Sequence, residues 1–137
     1  MSFELRAHTA DVAVAASGPT LDATVAAVAD GLAAAMCDEV PATGGDRFSL
    51  SVAAESREAL LFDYLDELIY ERDVRGVLPV DNEATVHEEG GEWSLEATAR
   101  GVPLDAVDAR EVKAVTYSEM ELRETDEGWR AYVVFDV

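Results

Sequence analysis

The sequence predicts an α+β fold: a single domain, residues 1–137, in which two main helices pack against or between β-sheets and the C-terminal half is rich in β structure. Three observations carry this expectation. Two segments, 20–36 and 56–72, repeat apolar residues at helical spacing behind a Thr or Ser. From residue 74 onward, short apolar runs alternate with turn signals. The 137 residues are 49% hydrophobic, which suits one domain with its own core, and no linker, repeat or low-complexity tract divides them.

The elements follow in order. Residues 10–17 read as a strand, ended by Gly18-Pro19. Thr20 caps a helix that runs to about Met36, with Asp22 in the first turn, where the helix dipole favours an acid. Val25, Val28, Leu32 and Met36 form its main stripe, and the many alanines allow close packing on more than one side. Residues 41–46 read as a loop and 47–53 as a strand. Ser56 caps the second helix, which runs to about Arg72. Its Leu60, Leu61, Phe62, Tyr64, Leu65, Leu68 and Ile69 cover more than half the circumference. Such a helix is buried on two sides, between two sheets or between a sheet and the other helix. Residues 74–80 and 84–87 read as short strands. Gly90-Gly91 turns into a strand at 93–99, and 101–110 is a loop around Pro103. A final hairpin joins 112–122 to 129–137 around Thr125-Asp126-Glu127-Gly128; the order of elements is that of an α+β domain.

Charge narrows the function classes. Twenty-nine acids face ten bases, a net charge of −19. Direct grip on a nucleic-acid backbone needs clustered Lys and Arg, and anionic membranes repel such a surface. Nine of the ten bases are Arg and one, Lys113, is Lys. This acid-rich, lysine-poor, Ala- and Val-rich composition is that expected of a halophilic source, where molar salt shortens the Debye length to ~3 Å or less. A lone cysteine, Cys37, excludes an internal disulfide and sits in an apolar helical stretch, as a small core residue does. No apolar run reaches membrane-spanning length, and the residues after Met1 do not read as a signal peptide, so a cytoplasmic location is expected.

No phosphate-cradling loop, zinc spacing or serine elbow is present. With 29 acids, only unusual placement singles out a carboxylate. Asp11 interrupts an apolar strand, where an acid fits poorly; it reads either as a turn-capping Asp or as a functional group. The chain ends Tyr132-Val133-Val134-Phe135-Asp136-Val137. An apolar run this close to the last atom implies that the sheet holds the terminal carboxylate beside Asp136; otherwise Asp136 simply faces solvent. Lys113 lies within Glu111-Val112-Lys113-Ala114-Val115-Thr116-Tyr117, read as a strand. It is either an ion-pair partner of Glu111 or another acid, or a functional cation.

These segments together resemble the archease family. The resemblance rests on His8-Thr9-Ala10-Asp11-Val12, the helical run from Leu60 to Ile69, Glu111 to Tyr117, and the ending Phe135-Asp136-Val137. It runs over essentially the whole chain in the same order. It implies a small cytoplasmic accessory protein of tRNA splicing that assists the RtcB-type RNA ligase. In that role it promotes guanylylation of the ligase's active-site histidine and multiple turnover, and can broaden the nucleotides used. It implies a fold of helices packed on β-sheets and a metal site at Asp11, Asp136 and Val137, the last through its free carboxylate. It also implies a functional role for Lys113. The chain departs from the family at Val102, where members often carry Glu, and at Ser118, where they often carry His.

Two aspartates and a terminal carboxylate are hard oxygen ligands that repel one another without a cation. They suit Ca²⁺, which accepts irregular shells of 6–8 oxygens, with Mg²⁺ the alternative and K⁺ or Na⁺ a further occupant in molar salt. The leading expectation is thus a non-catalytic activator that leaves RNA to the ligase. The alternative is a small metal-dependent hydrolase using the same carboxylates to activate water, which lacks an evident general base. A third reading is a metal-stabilised binding module without either role.

Overall fold

The computed structural model describes residues 2–8 and 11–137. The chain order is β1 (Ser2–His8), β2 (Asp11–Gly18), α1 (Leu21–Met36), β3 (Asp46–Ala54), α2 (Arg57–Arg75), β4 (Val77–Glu89), β5 (Glu92–Pro103), a 3-10 turn (Leu104–Ala106), β6 (Ala114–Thr125) and β7 (Gly128–Asp136). The strands form two antiparallel sheets, one ordered β1-β2-β7-β6 and the other β3-β5-β4. This is the expected α+β architecture.

Both helices lie between the sheets. Helix α1 packs on β1, β2 and β7 of one sheet and β4 of the other, and α2 packs on β6 and on β3, β4 and β5. Two-sided burial follows from composition. Buried α1 positions include Val25, Ala26, Ala27, Val28, Ala29 and Leu32, and buried α2 positions include Leu60, Leu61, Tyr64, Leu65 and Leu68. Thr20 and Ser56 act as the expected caps, each side chain accepting the third following N–H at 3.1 Å. Gly76 ends α2 in the left-handed conformation (φ 65°).

The first-turn acid of α1 does more than meet the helix dipole. Asp22 Oδ1 accepts the Val86 N–H at 2.8 Å, and Asp30 Oδ1 accepts the Asn82 backbone N–H at 3.0 Å and Asn82 Nδ2 at 2.9 Å. Helix α1 thereby covers the edge strand β4 and satisfies donors that would otherwise be open to another chain. Burial pushes the Asp30 carboxyl above its ordinary pKa, against the lowering effect of the Asn82 bonds.

Gly31 sets the distance between α1 and β2. A Cβ built there would lie 2.4 Å from Val14 Cγ1, and Val14 is fully buried. Gly31→Ala is therefore expected to destabilise the fold by about 1–3 kcal/mol, the usual cost of overpacking a core, despite Ala's helix preference of roughly 1 kcal/mol over Gly. Urea unfolding measures this, and a more stable variant would contradict the close approach.

Several sequence expectations change. Residues 2–8 form a strand beyond the elements the sequence predicts; Phe3 and Leu5 alternate with Glu4 and Arg6, a signal too short to separate from an irregular terminus. Val74 belongs to α2, and β4 begins at Val77, after Gly76. The two short strands at 74–80 and 84–87 are one strand bent by an irregularity between Val80 and Glu83, where Asp81 has φ 51°. Strand β5 continues through the expected loop to Pro103, which pairs with Val77. Glu111, Val112 and Lys113 precede β6 rather than forming part of it. Ala114 pairs with Asp136, the last residue of β7, so Val112 has no strand partner in this register; its carbonyl oxygen accepts instead from Arg72 Nη1 at 2.6 Å.

Candidate functional site

The four-stranded sheet has a core face and an opposite face. Directly opposed residues of an antiparallel pair share a face. On the core face, Phe3, Ala16, Ala131 and Leu122 form one cross-strand rank, and Val12, Phe135 and Val115 form another. On the opposite face, Asp11 of β2 is the direct partner of Asp136 of β7, which is in turn the partner of Ala114 of β6. Two of the sequence-predicted site residues, far apart in the chain, thus stand side by side on one face, and Val137 follows immediately.

This juxtaposition is built by register. Every residue from Asp11 to Gly18 pairs with one from Asp136 back to Trp129 without interruption. The apolar run from Tyr132 to Phe135 makes the ladder; Val133, Val134 and Phe135 are buried, and Asp136 emerges exposed at its end. Asp11 is half-buried, and Val137 is 49% exposed. Thr9 and Ala10 of the motif that precedes β2 lie outside the described residues, as does the side chain of His8.

Lys113 reaches the same corner through its backbone. Its N–H donates to the Asp136 carbonyl oxygen at 2.8 Å. On the other side, Arg72 holds the Val112 carbonyl and also contacts Met36 Sδ at 3.3 Å. Arg72 is buried, with Asp73 accepting from its Nε at 3.0 Å. The loop before Lys113 is fastened further: Arg110 N–H donates to the Met36 carbonyl at 2.7 Å, and Arg110 Nη2 meets Asp38 at 2.6 Å. That guanidinium holds the exposed Asp38 carboxyl below its ordinary pKa. Lys113 therefore has a fixed backbone and an exposed side chain, and among the described residues no carboxylate pairs with it, Glu111 included. Sequence reasoning missed Arg72 as the anchor. The available signal was its position: a cation four residues after Leu68, continuing the stripe of Leu61, Leu65 and Leu68 that the helix buries.

Adjacent like charges directly opposed in a sheet repel. Their Cβ atoms lie about 4.5–5.5 Å apart in such a pair, close enough for both carboxylates to meet one cation. The donor set fits a hard, oxygen-seeking ion. Among the described residues no group of three or more His, Cys, Asp or Glu side chains is arranged to hold a metal. His87 is exposed on β4 of the other sheet, opposite Ser94, and does not approach these aspartates. Among the described residues no helix is long and apolar enough to cross a membrane.

Comparison with known proteins shows the family and the fold. The sequence profile of the Archease protein family matches residues 3–137. The chain is 32% identical to an archease of Methanosarcina barkeri, over 98% of this chain and 95% of that protein. It is 34% identical to an archease of Thermococcus gammatolerans, over 95% and 94%. The solution structure of protein 1598 of Methanobacterium thermoautotrophicum superposes with a TM-score of 0.86 at 28% identity, covering 99% of both chains. A crystal structure of an archease from Thermotoga maritima shares the fold, with a TM-score of 0.63 at 22% identity and coverage of 98% and 96%. A match that spans both sheets, both helices and the aspartate-bearing C-terminus places this chain in the archease family.

Proposed function

We propose that this protein is a non-catalytic activator of an RtcB-type RNA ligase in tRNA splicing, acting from the sheet corner that holds Asp11, Asp136, Val137 and Lys113. The observation that carries the reading is the direct pairing of Asp11 with Asp136. Family membership supports the ligase as partner.

The chain's own residues define the parts. Asp11, Asp136 and the Val137 carboxylate would hold Ca²⁺, or Mg²⁺ as the alternative; the ion, when bound, supplies a positive centre for oxygen ligands. The exposed corner leaves coordination positions for water or for a group of the ligase. Arg72 and Asp136 fix the Lys113 backbone on either side, so the lysine presents a compact charge from a set position. That charge can meet a phosphate or a ligase carboxylate. With a net charge of −19, RNA is left to the ligase. Cytoplasmic placement follows from the same partnership.

The experiment is a guanylylation and turnover assay on purified ligase. Lys113→Ala is expected to fold normally, because its exposed side chain makes no contact in the core, and to lose stimulation. Lys113→Arg should retain part of it, since a planar fork replaces a point charge. Wild-type stimulation by the Ala variant would reduce Lys113 to ordinary surface charge.

A further inference from the structure

We propose that the end of the four-stranded sheet farthest from Asp11 and Asp136 is a binding site for a phosphate-class oxyanion, either inorganic phosphate or a phosphomonoester. The site is the rank Ser2–Ser17–Arg130–Arg123. Ser2 of β1 pairs with Ser17 of β2, Ser17 with Arg130 of β7, and Arg130 with Arg123 of β6. All four residues therefore share the face that carries the two aspartates. Arg130 and Asp136 stand six residue steps apart along β7, about 20 Å. The buried pair Ala13 and Val134 lies between them.

Three features point to an anion. Like charges directly opposed across strands destabilise a sheet, yet two of this chain's nine arginines are so placed. The other arginines have partners: Arg47, Arg72, Arg75, Arg100 and Arg110 meet carboxylates, and Arg57 lies over the rings of Trp93 and Trp129. Arg6 and Arg123 each meet the acid two residues before them on the same strand. Arg130 is exposed and, among the described residues, has neither a carboxylate nor a ring partner, in a chain with 29 acids.

The third feature is shape. Two concavities, of about 660 and 370 Å³, share Ser17, Arg123 and Arg130 in their walls. Thr125 adds a hydroxyl to the larger one. Gly18 and Pro19 line it as well, and a Cβ on Gly128 (φ 143°) would lie 2.2 Å from the Gly18 carbonyl oxygen. Asp126 and Glu127 stand on the turn at its rim, and neither pairs with Arg130. Glu121 takes Arg123 Nε and the Ser2 and Ser17 hydroxyls meet at 3.2 Å, which leaves the Arg130 guanidinium, the Nη groups of Arg123 and the Thr125 hydroxyl as donors an oxyanion can accept, and Arg offers the paired N–H geometry that phosphate accepts. The net charge disfavours a long polyanion, so the ligand is a small one. This inference does not rest on the ligase reading.

The test is an NMR titration of the whole protein at constant ionic strength, with chloride replaced by inorganic phosphate or by adenosine monophosphate. Saturable amide shifts at Ser17, Arg123 and Arg130 are expected. Arg130→Gln should weaken binding roughly tenfold or more, the usual consequence of losing a charge-assisted hydrogen bond. Arg75→Gln, which alters an arginine paired with Glu71 on α2, should leave it unchanged. Saturation by phosphate but not by the nucleotide identifies the free ion, and tighter binding of the nucleotide identifies a monoester. Absence of saturable shifts with both probes overturns the site, as does wild-type affinity in Arg130→Gln and Arg123→Gln.

Discussion

Asp136→Asn and a C-terminal extension beyond Val137 are each expected to weaken Ca²⁺ binding by roughly tenfold or more and to abolish ligase stimulation, with the fold intact. Each removes one anion from a site whose affinity follows ligand charge. Asn keeps the shape of Asp136 and loses its charge. An extension turns the Val137 carboxylate into a neutral amide and puts new chain where the ion would sit. Asp11→Asn should match Asp136→Asn, because the two are one cross-strand pair. An N-terminal extension is the control. Ser2 pairs with Ser17, at the other end of β2 from Asp11, about 20 Å away. Calorimetry on the tagged and substituted proteins decides the ligands one by one. Equal Ca²⁺ affinity in the two tagged forms removes the terminal carboxylate from the set, and wild-type affinity in either Asn variant removes that residue.

Lowering salt from ~3 M to ~0.1 M is expected to unfold the protein, because the Debye length then grows from ~3 Å or less to ~10 Å and like charges couple across the surface. The ion pairs present cannot offset a net charge of −19. Arg6–Glu4, Arg110–Asp38 and Arg123–Glu121 are all exposed, and such pairs contribute little. A melting temperature that stays flat across the range would show that the acidic composition is no adaptation to salt.

Local signals made the helices readable. Thr20 and Ser56 cap them by contacts only three residues long, and the apolar circumference of α2 by itself requires burial on two sides. The strands were less legible where tertiary partners decide their ends. Val112 and Lys113 carry a strand-like pattern, yet β7 ends at Asp136, the partner of Ala114, and the Val112 carbonyl is taken by Arg72. The bend between Val80 and Glu83 has no period of its own; Asn82 there is held by Asp30 from a helix 52 residues earlier.

The candidate site divides in the same way. The sequence by itself determined which residues are out of place: an acid in an apolar strand, an acid at the last turn of an apolar terminus, and one lysine among nine arginines. Those are statements about composition and pattern, and they hold without coordinates. Only the tertiary structure decided that Asp11 and Asp136 are neighbours, because register between strands 125 residues apart is set by matching two buried faces along the whole ladder. The same register brings Arg130 opposite Arg123 at the far end of that face. Neither pairing leaves a mark in the local sequence, since a slip of β7 by one residue would keep its sequence pattern and send both Asp136 and Arg130 to the other face.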